Sequence, residues 1–194
     1  MTFKNRYGII TNRQFVSTIL SINKTRAMKE TEALNLVFCV VHYGTTLFIY
    51  EMERLMYILK TEYSFDSAHF LSGYEGKCSN IHGHRWKVEL EVKTMKLNKD
   101  RQLNGMHVDF GTLKEDLKNE VDTFDHCLII EKGTLKEATY NALVDEGFRI
   151  LNMDFRPTAE NMSKYFYDRM TDCGYDVKCV TVYETPTNCA AYCE

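Results

Sequence analysis

The chain has 194 residues, of which 44% are hydrophobic and 26% are charged, and this balance is typical of a globular protein with a buried core. Its formal net charge is only −3. That value indicates neither a polyanion-binding surface nor a strongly acidic protein, so we expect no nucleic-acid partner. The length predicts one domain with room for an additional segment.

The seven cysteines show no paired spacing and no C-x-x-C motif, and their number is odd. Since the chain has no cleavable signal pattern, we expect reduced and mostly buried thiols in a cytoplasmic protein. Cys78 is the exception, because its neighbours are polar and rich in histidine.

Residues 1–55 differ in character from the rest of the chain. Residues 1–32 are polar and show no clear period, whereas 33–50 are mostly apolar and long enough to raise the question of a membrane span. Polar residues interrupt that run, and a signal peptide fits poorly because the run starts late and lacks a small-residue cleavage site. We expect 1–55 to be an N-terminal extension that is disordered or not translated in the cell, ahead of a domain at 56–194.

From Met56 onward the pattern becomes regular. Alternation over residues 57–65 predicts a first strand, and unbroken alternation over 84–93 predicts a second, half-buried strand. A loop that contains glycine and serine lies between them at 71–81. Further strands are predicted through Met106, Val108 and Phe110 and over residues 177–184.

Three helices are predicted between the third strand and the last one. Each is predicted from the residues at its N-terminal end. Two of them open with the threonine and glutamate of a capping box, with Thr112 and Thr134 as the caps, and Thr158 caps the third. The second helix is expected to end near Gly147 and the third at Gly174. The apolar stripes that should face a core are Leu113, Leu117 and Val121 on the first helix and Met162, Phe166 and Met170 on the third.

The resulting order is three strands, three helices and a last strand. This order predicts an α+β fold with an antiparallel four-stranded sheet and helices on one face.

The stretch from Cys78 to His84 carries the strongest chemical signal. His82 and His84 lie one residue apart, and His69 lies a short loop before them. If the second strand extends back through Gly83, both histidines of the pair point to the apolar face, where a polar group without a partner is costly. A metal ion would be such a partner, and three imidazoles with an open fourth position are typical of catalytic zinc. Cys78 could be a fourth ligand or an inert loop thiol.

Other candidate site residues carry weaker signals on their own. The pair Asp125-His126 is only two residues long. Glu184 continues the apolar face of the last strand, so its carboxylate is either buried beside a partner or already in solvent at the strand end. Thr158 and Glu160 are interpreted in the first place as residues of a helix N-terminus.

Several motifs together resemble the 6-pyruvoyl-tetrahydropterin synthase superfamily. Cys-x3-His-Gly-His at 78–84, after Ala68-His69, resembles its zinc motif. The resemblance runs from about Met56 to Glu194 and recurs at Asp125-His126, Pro157-Thr158-Ala159-Glu160-Asn161 and Tyr183-Glu184-Thr185-Pro186. The four-residue step from Cys78 to His82 is the spacing of its bacterial 6-carboxy-tetrahydropterin synthases, whereas the animal pyruvoyl enzymes have a longer gap.

The resemblance implies the tunnelling fold, in which subunits join their sheets edge to edge into a barrel and two rings stack. We therefore expect a homo-oligomer, a hexamer by this resemblance, with no membrane association of the domain at 56–194. Residues 131–156 are longer than the matching stretch of short family members, and we interpret them as a helical insertion at the surface.

The resemblance also implies roles for the candidate residues. Zn²⁺ would be held by His69, His82 and His84, and Cys78 would be the catalytic base beside the metal. His126 would relay a proton with Asp125 orienting it, while Glu184, Thr158 and Glu160 would bind the pterin.

The implied reaction is that of a lyase acting on a small molecule, 7,8-dihydroneopterin triphosphate. Its products would be 6-carboxy-5,6,7,8-tetrahydropterin, acetaldehyde and triphosphate, and the pathway would be queuosine synthesis. Two alternatives stay open: a pyruvoyl-tetrahydropterin synthase, which would eliminate triphosphate and keep the carbons, and a non-catalytic zinc-stabilised module that binds pterin.

Overall fold

The computed structural model describes the backbone of residues 37–43 and 46–52 and the whole of residues 56–194. Two units separate between Leu55 and Met56. In the first, strands β1 (Val37–Tyr43) and β2 (Thr46–Met52) form an antiparallel hairpin. The apolar run that raised the question of a membrane span falls largely on these strands. In the described part of the chain, no helix is long and apolar enough to cross a membrane. The prediction that 1–55 are disordered or untranslated lies mainly outside the described residues.

The second unit is built on one six-stranded sheet, with two helices packed on it and a third helix that buries none of its residues. Its elements are β3 (Tyr57–His69), β4 (His82–Thr94), α1 (Phe110–Val121), β5 (Leu128–Glu131), α2 (Glu137–Asp145), β6 (Ile150–Met153), α3 (Ala159–Asp172), β7 (Val177–Thr185) and β8 (Asn188–Cys193). The strand order is β6-β5-β3-β4-β7-β8. The pairs β3–β5 and β5–β6 are parallel, and the others are antiparallel.

The α+β class is confirmed, but the expected four-stranded antiparallel sheet is wrong in strand number and in direction. The segment at 131–156 was expected to be helical, yet it joins β5 to β6 through α2, so a parallel pair extends the sheet. The strand expected through Met106 and Val108 does not form. That stretch is turns and irregular chain, and Phe110 already begins α1 with its side chain exposed. Short strands and irregular segments carry too few residues for a period to identify them.

The paired strands β3 and β4 are the longest in the sheet, with 13 residues each. Their register sets Phe65 opposite Trp86 and His69 opposite His82. Because side chains alternate between faces, the odd residues of β3 and the even residues of β4 share the inner face near these positions. The prediction that β4 extends back through Gly83 is therefore confirmed.

The core lies between this inner face and helices α1 and α3. The predicted stripes of both helices are fully buried against strand residues of β4 and β7. Helix α2 buries none of its residues, in agreement with its predicted place at the surface. Each large apolar side chain removed from water contributes about 1.5–3 kcal/mol before entropy is counted, so α1 and α3 bind the sheet far more strongly than α2 does.

Two of the three predicted helix caps are wrong. Asp109, not Thr112, caps α1, because its carboxylate accepts from the backbone N–H groups of Gly111 and Thr112. Helix α2 begins only at Glu137, and the Thr134 hydroxyl donates to the Glu131 carbonyl in the preceding turn. Thr158 caps α3 as predicted by accepting from the N–H of Asn161. A short polar side chain competes for nearby backbone groups in several ways, so a capping pattern alone does not fix the first helical residue.

The cysteines also depart from expectation. Cys179 on β7 lies directly opposite Cys193 on β8, and the two form a disulfide. Among the free cysteines in the described residues, Cys127 is buried, Cys78 is half-buried, and Cys173 and Cys189 are exposed. The expectation of reduced and mostly buried thiols is therefore wrong here. The pairing was not visible in the sequence because β8, whose register creates it, was not predicted.

Candidate active site

The three predicted metal-binding histidines meet at one end of the β3–β4 pair. His69 closes β3 and faces His82, which opens β4, and His84 follows on the same face of β4. One ring nitrogen of each lies within 4.8 Å of those of the other two. The hairpin register thus brings together residues that are 15 positions apart at most, and this clustering confirms the predicted convergence.

Backbone carbonyls fix the ring orientation of two of these histidines. The Nδ1 of His69 lies 2.8 Å from the carbonyl oxygen of Pro157, and the Nδ1 of His82 lies 2.7 Å from that of Asn80. Because a carbonyl oxygen only accepts, Nδ1 carries the proton in each ring, which leaves the lone pair on Nε2 for a ligand. Histidines that bind metals are commonly oriented by such contacts.

Burial keeps two of the three rings neutral and able to bind a metal ion. Burial lowers the pKa of His69 to about 4, and burial also lowers the pKa of His84. Both rings are therefore neutral near pH 7, as a metal ligand must be. The Nε2 of His69 is buried and has no hydrogen-bond partner in the described part of the chain. A cation bound by three neutral imidazoles would satisfy that atom, so the residues fit a metal site of the kind zinc prefers.

Glu184 lies beside the histidines, which was not predicted from the sequence. Its Oε1 is 3.3 Å from the Nε2 of His69 and 3.9 Å from the Nε2 of His84. The side chain is 29% exposed, so the carboxylate is neither fully buried nor free in solvent at the strand end. A negative charge at this position would stabilise a cation bound to the cluster.

A cavity of about 290 Å³ adjoins Glu184 and gathers the other predicted binding residues. Cys78, Thr158, Glu160 and Glu184 all line it. The thiol of Cys78 comes from a single 3-10 turn at Lys77–Ser79, and the N–H of Leu71 donates to the Cys78 carbonyl over 2.8 Å. The remaining lining residues are Leu71, Tyr74, Ala159, Asn188, Cys189 and Ala190.

Asn188 and Cys189 are cavity residues that the sequence analysis missed. Both belong to β8, which was not predicted because its residues show neither strong alternation nor a run of β-branched side chains. The tight link between β7 and β8 brings them back beside Glu184.

The start of α3 serves both the cavity and the metal cluster. Thr158 and Glu160 line the cavity, while the carbonyl of Pro157, one residue earlier, accepts from His69. The side-chain amide of Asn161 donates to the Arg156 carbonyl over 3.0 Å and fixes this turn from the other side. One capped helix start therefore sets the position of binding residues and of a metal ligand together.

Asp125 and His126 form an oriented pair. The Nδ1 of His126 lies 2.7 Å from Oδ2 of Asp125, and the backbone N–H of Asp66 donates to Oδ1 over 2.9 Å. That N–H, followed by the contact with His126, holds the pKa of the Asp125 carboxyl below its ordinary value. Asp125 is therefore ionised near neutral pH. The His126 side chain is 79% exposed, so its ring is held at one nitrogen while the other side of the ring is open to solvent.

Within one chain, His126 does not face the cavity of Cys78. It lines a larger cavity of about 760 Å³, together with His84, Arg85 and Leu128. The structure thus brings the histidine cluster, Glu184, Cys78, Thr158 and Glu160 together, and sets Asp125 and His126 apart on another side of the histidines.

The segment at 131–156 contributes directly to that larger cavity. Leu143, Phe148 and Arg149 form part of its wall. The guanidinium of Arg149 donates to the carbonyls of Thr123 and Asp125 over 2.7 and 2.9 Å. Arg149 of this segment therefore clamps the turn that carries Asp125 and His126.

The fold and the site together define a class of protein: an α+β domain with a cluster of three histidines that could hold a metal ion, beside a cavity. A family model described as 6-pyruvoyl tetrahydropterin synthase matches residues 58–194. The chain belongs to this family.

Relatives agree with that assignment. The chain is 32% identical over 142 residues to the 6-carboxy-5,6,7,8-tetrahydropterin synthase of Haemophilus influenzae, which covers 72% of this chain and 100% of the relative. An uncharacterized protein from Wolinella succinogenes has a similar structure, with a TM-score of 0.59 and 21% identity over 72% of this chain and 99% of that one. The 6-pyruvoyl tetrahydropterin synthase of Plasmodium falciparum gives a TM-score of 0.52 and 18% identity, over 72% of this chain and 98% of that one. These two structures support the tunnelling fold.

A strained backbone at His126 yields a testable prediction. With φ at 53°, it has the one positive φ among the non-glycine residues that the structure describes. We expect His126→Gly to be more stable than His126→Ala by about 1 kcal/mol, because a Cβ raises the energy of the left-handed conformation. Urea unfolding of the two variants measures the difference, and both lose the contact with Asp125 equally.

Glu146, at φ −75°, provides the matched control. There Glu146→Ala should be more stable than Glu146→Gly, since alanine is favoured over glycine in an ordinary helical conformation. An alanine variant at 126 as stable as the glycine variant would contradict strain at that position.

Proposed function

We propose that this protein is a zinc-dependent 6-carboxy-5,6,7,8-tetrahydropterin synthase. It would convert 7,8-dihydroneopterin triphosphate to 6-carboxy-5,6,7,8-tetrahydropterin, acetaldehyde and triphosphate in the cytoplasm, as a step of queuosine synthesis. The observation that carries the proposal is the meeting of three histidines with Glu184 at the edge of a cavity that also holds Cys78, Thr158 and Glu160. The names of the relatives, 6-carboxy-5,6,7,8-tetrahydropterin synthases, support the choice of reaction.

His69, His82 and His84 would hold the metal. Zinc bound there would supply a Lewis acid for the hydroxyl groups of the substrate side chain. The chain itself contributes the orientation of the rings, since the carbonyls of Pro157 and Asn80 keep the Nε2 lone pairs directed at one point. Three ligands leave room for substrate oxygen atoms, as in other catalytic zinc sites.

Cys78 would act as the base, and Glu184 would hold the pterin. Cys78 lines the same cavity as Glu184, whose Oε1 lies 3.3 Å from Nε2 of His69, and a cysteine acts as a base through its thiolate. The Glu184 carboxylate is an acceptor in the same wall and matches the N–H and amino donors of a pterin ring. Thr158 and Glu160, at the start of α3, would complete the wall on which the ring lies.

His126 would return the proton, with Asp125 holding its ring by the hydrogen bond at Nδ1. General acid and base groups must come within hydrogen-bond reach of the atoms they serve. Cys78 and His126 of one chain line different cavities. We therefore propose a homo-oligomer, a hexamer, in which His126 and Asp125 of one subunit complete the cavity that contains Cys78 of another.

The first prediction is the product. Purified full-length protein with zinc should convert 7,8-dihydroneopterin triphosphate to acetaldehyde and 6-carboxy-5,6,7,8-tetrahydropterin, both measured by chromatography of the reaction mixture. A pyruvoyl product with no acetaldehyde would replace the carboxy assignment with the pyruvoyl one and leave the site intact. Metal binding with no turnover of the pterin would favour the non-catalytic module.

The second prediction concerns Cys78. Its change to alanine should lower kcat about 100-fold or more, because general base catalysis contributes at least that factor, while zinc content stays at the wild-type level. Cys173→Ala is the matched control, since Cys173 is also a free thiol but is exposed at the end of α3, away from the cavity. Full activity of Cys78→Ala, or loss of its zinc, would contradict the role of base.

The third prediction tests the shared site. Cys78→Ala and His126→Ala should each be inactive alone, yet hybrids formed by coexpression of the two should regain part of the wild-type activity. Recovery is expected because some cavities in a hybrid receive an intact Cys78 from one subunit and an intact His126 from another. Hybrids that stay as inactive as the parent variants would show that both groups must act from the same chain.

A further inference from the structure

Trp86, the protein's one tryptophan, lies on β4 two residues after His84. Since alternate residues of a strand share a face, its side chain lies on the inner face next to His82 and His84. It is fully buried, and the Phe65 ring stacks parallel to it from β3 with a centroid distance of 5.9 Å and an interplanar angle of 4°. The indole is therefore held rigidly from behind by the core.

The indole packs on two of the three candidate metal ligands. Its ring centroid is 4.9 Å from that of His69 at an interplanar angle of 82°, and 5.7 Å from that of His84 at 89°. Both are edge-to-face contacts at distances where aromatic rings attract one another. Trp86 thus links the hydrophobic core directly to the histidine cluster.

His84 depends on this packing more than the other two ligands do. His69 and His82 are each oriented by a backbone carbonyl. In contrast, the His84 ring makes no hydrogen bond in the described part of the chain, and the nearest charged group recorded beside it is Glu184 Oε1 at 3.9 Å. Ring contacts with Trp86, His69 and His82 are what hold its plane.

A second observation singles out the same pair of rings. Among residues 56–194, two buried side-chain nitrogens lack a hydrogen-bond partner, His69 Nε2 and Trp86 Nε1. Burying an indole N–H without an acceptor is costly, and buried tryptophans usually find one. A phenylalanine or leucine would fill a purely structural position without that cost. The indole ring therefore serves the cluster beside it more than it serves the stability of the core.

We propose that Trp86 is a positioning residue of the metal centre: its indole holds His84, and helps to hold His69, in the orientation that directs their Nε2 atoms at one ion. This proposal rests on the metal site proposed above. Outer residues that orient ligands commonly change metal affinity 10- to 100-fold when they are replaced.

The test measures metal binding by the full chain. Protein stripped of metal is titrated with Zn²⁺ in competition with a chromophoric chelator. Trp86→Leu should bind Zn²⁺ about 10-fold more weakly or worse, because the flat wall against His84 is lost. Trp86→Phe keeps a smaller ring and should fall between Trp86→Leu and the wild type.

Phe166→Leu is the matched control. Phe166 is fully buried in the same core, and within residues 56–194 its ring contacts are with Phe65, Phe124 and Tyr165 and with no histidine. It should lose stability in urea unfolding, as Trp86→Leu does, while its Zn²⁺ affinity stays at the wild-type value. Equal Zn²⁺ affinities of the Trp86 variants and Phe166→Leu would overturn the proposal and leave Trp86 a core residue only.

Two spectroscopic signals report on geometry and do not depend on activity. Co²⁺ bound to the wild type should give the visible absorption of a site with few ligands, and Trp86→Phe should change its intensity because His84 is held less firmly. In the wild type, Trp86 fluorescence should change with Zn²⁺ and saturate at one equivalent per chain. If Trp86→Leu does not fold, Trp86→Phe and this fluorescence decide the matter, and an unchanged spectrum with unchanged emission would overturn the proposal.

The outcomes also separate this proposal from the proposed function. If the wild-type chain binds neither Zn²⁺ nor Co²⁺, the metal site itself is wrong and the role of Trp86 falls with it. If the wild type binds metal and turns over the pterin while the Trp86 variants bind as tightly, only the positioning role is wrong.

Discussion

The site depends above all on the register of β3 against β4. Antiparallel pairing sets His69 opposite His82, and the alternation of the strand adds His84 to the same face. A slip of one residue would turn every inner side chain of one strand to the other face. The same register sets Phe65 opposite Trp86, so the core that fixes the pairing lies only a few residues from the ligands. Packing of apolar side chains thus determines where the polar groups of the site meet.

A second constraint joins this strand pair to the helix layer. The carbonyl of Pro157 accepts from His69 just before Thr158 caps α3. The apolar stripe of α3 is buried on the sheet. This packing fixes the position of the helix start relative to His69. The segment at 131–156 also supports the site, since Arg149 binds the turn of Asp125 and His126. Rigid elements therefore support each part of the site, as accurate placement of reacting groups requires.

The long, strongly patterned elements could be predicted from the sequence, and the short ones could not. Alternation along β3, β4 and β7 and the stripes of α1 and α3 each extend over enough residues to identify the element. The four-residue strand β6 lies in the segment 131–156 that was interpreted as helical, and β5 lies just ahead of it. The parallel pairing of both strands depends on contacts distant in sequence. The strand β8 consists largely of small and polar residues.

The same distinction holds for the site. The cluster of His69, His82 and His84 follows from spacing on two adjacent strands, so it could be predicted. The place of Glu184 against His69 could not, because it depends on β7 lying next to β4. Asn188 and Cys189 were missed together with their strand. That Cys78 and His126 line different cavities is a property of the tertiary structure, which no local pattern in the sequence contains.

The disulfide between Cys179 and Cys193 has a practical consequence for work with this protein. It fastens the edge strand that supplies Asn188 and Cys189 to the cavity wall. By chain-entropy arguments, a link across a separation of 14 residues stabilises the folded state by about 3 kcal/mol. Reductant in a purification buffer would break this link and leave β8 held to β7 by strand pairing alone. Preparations made with and without reductant are therefore different samples, and kinetic constants from one should not be combined with those from the other.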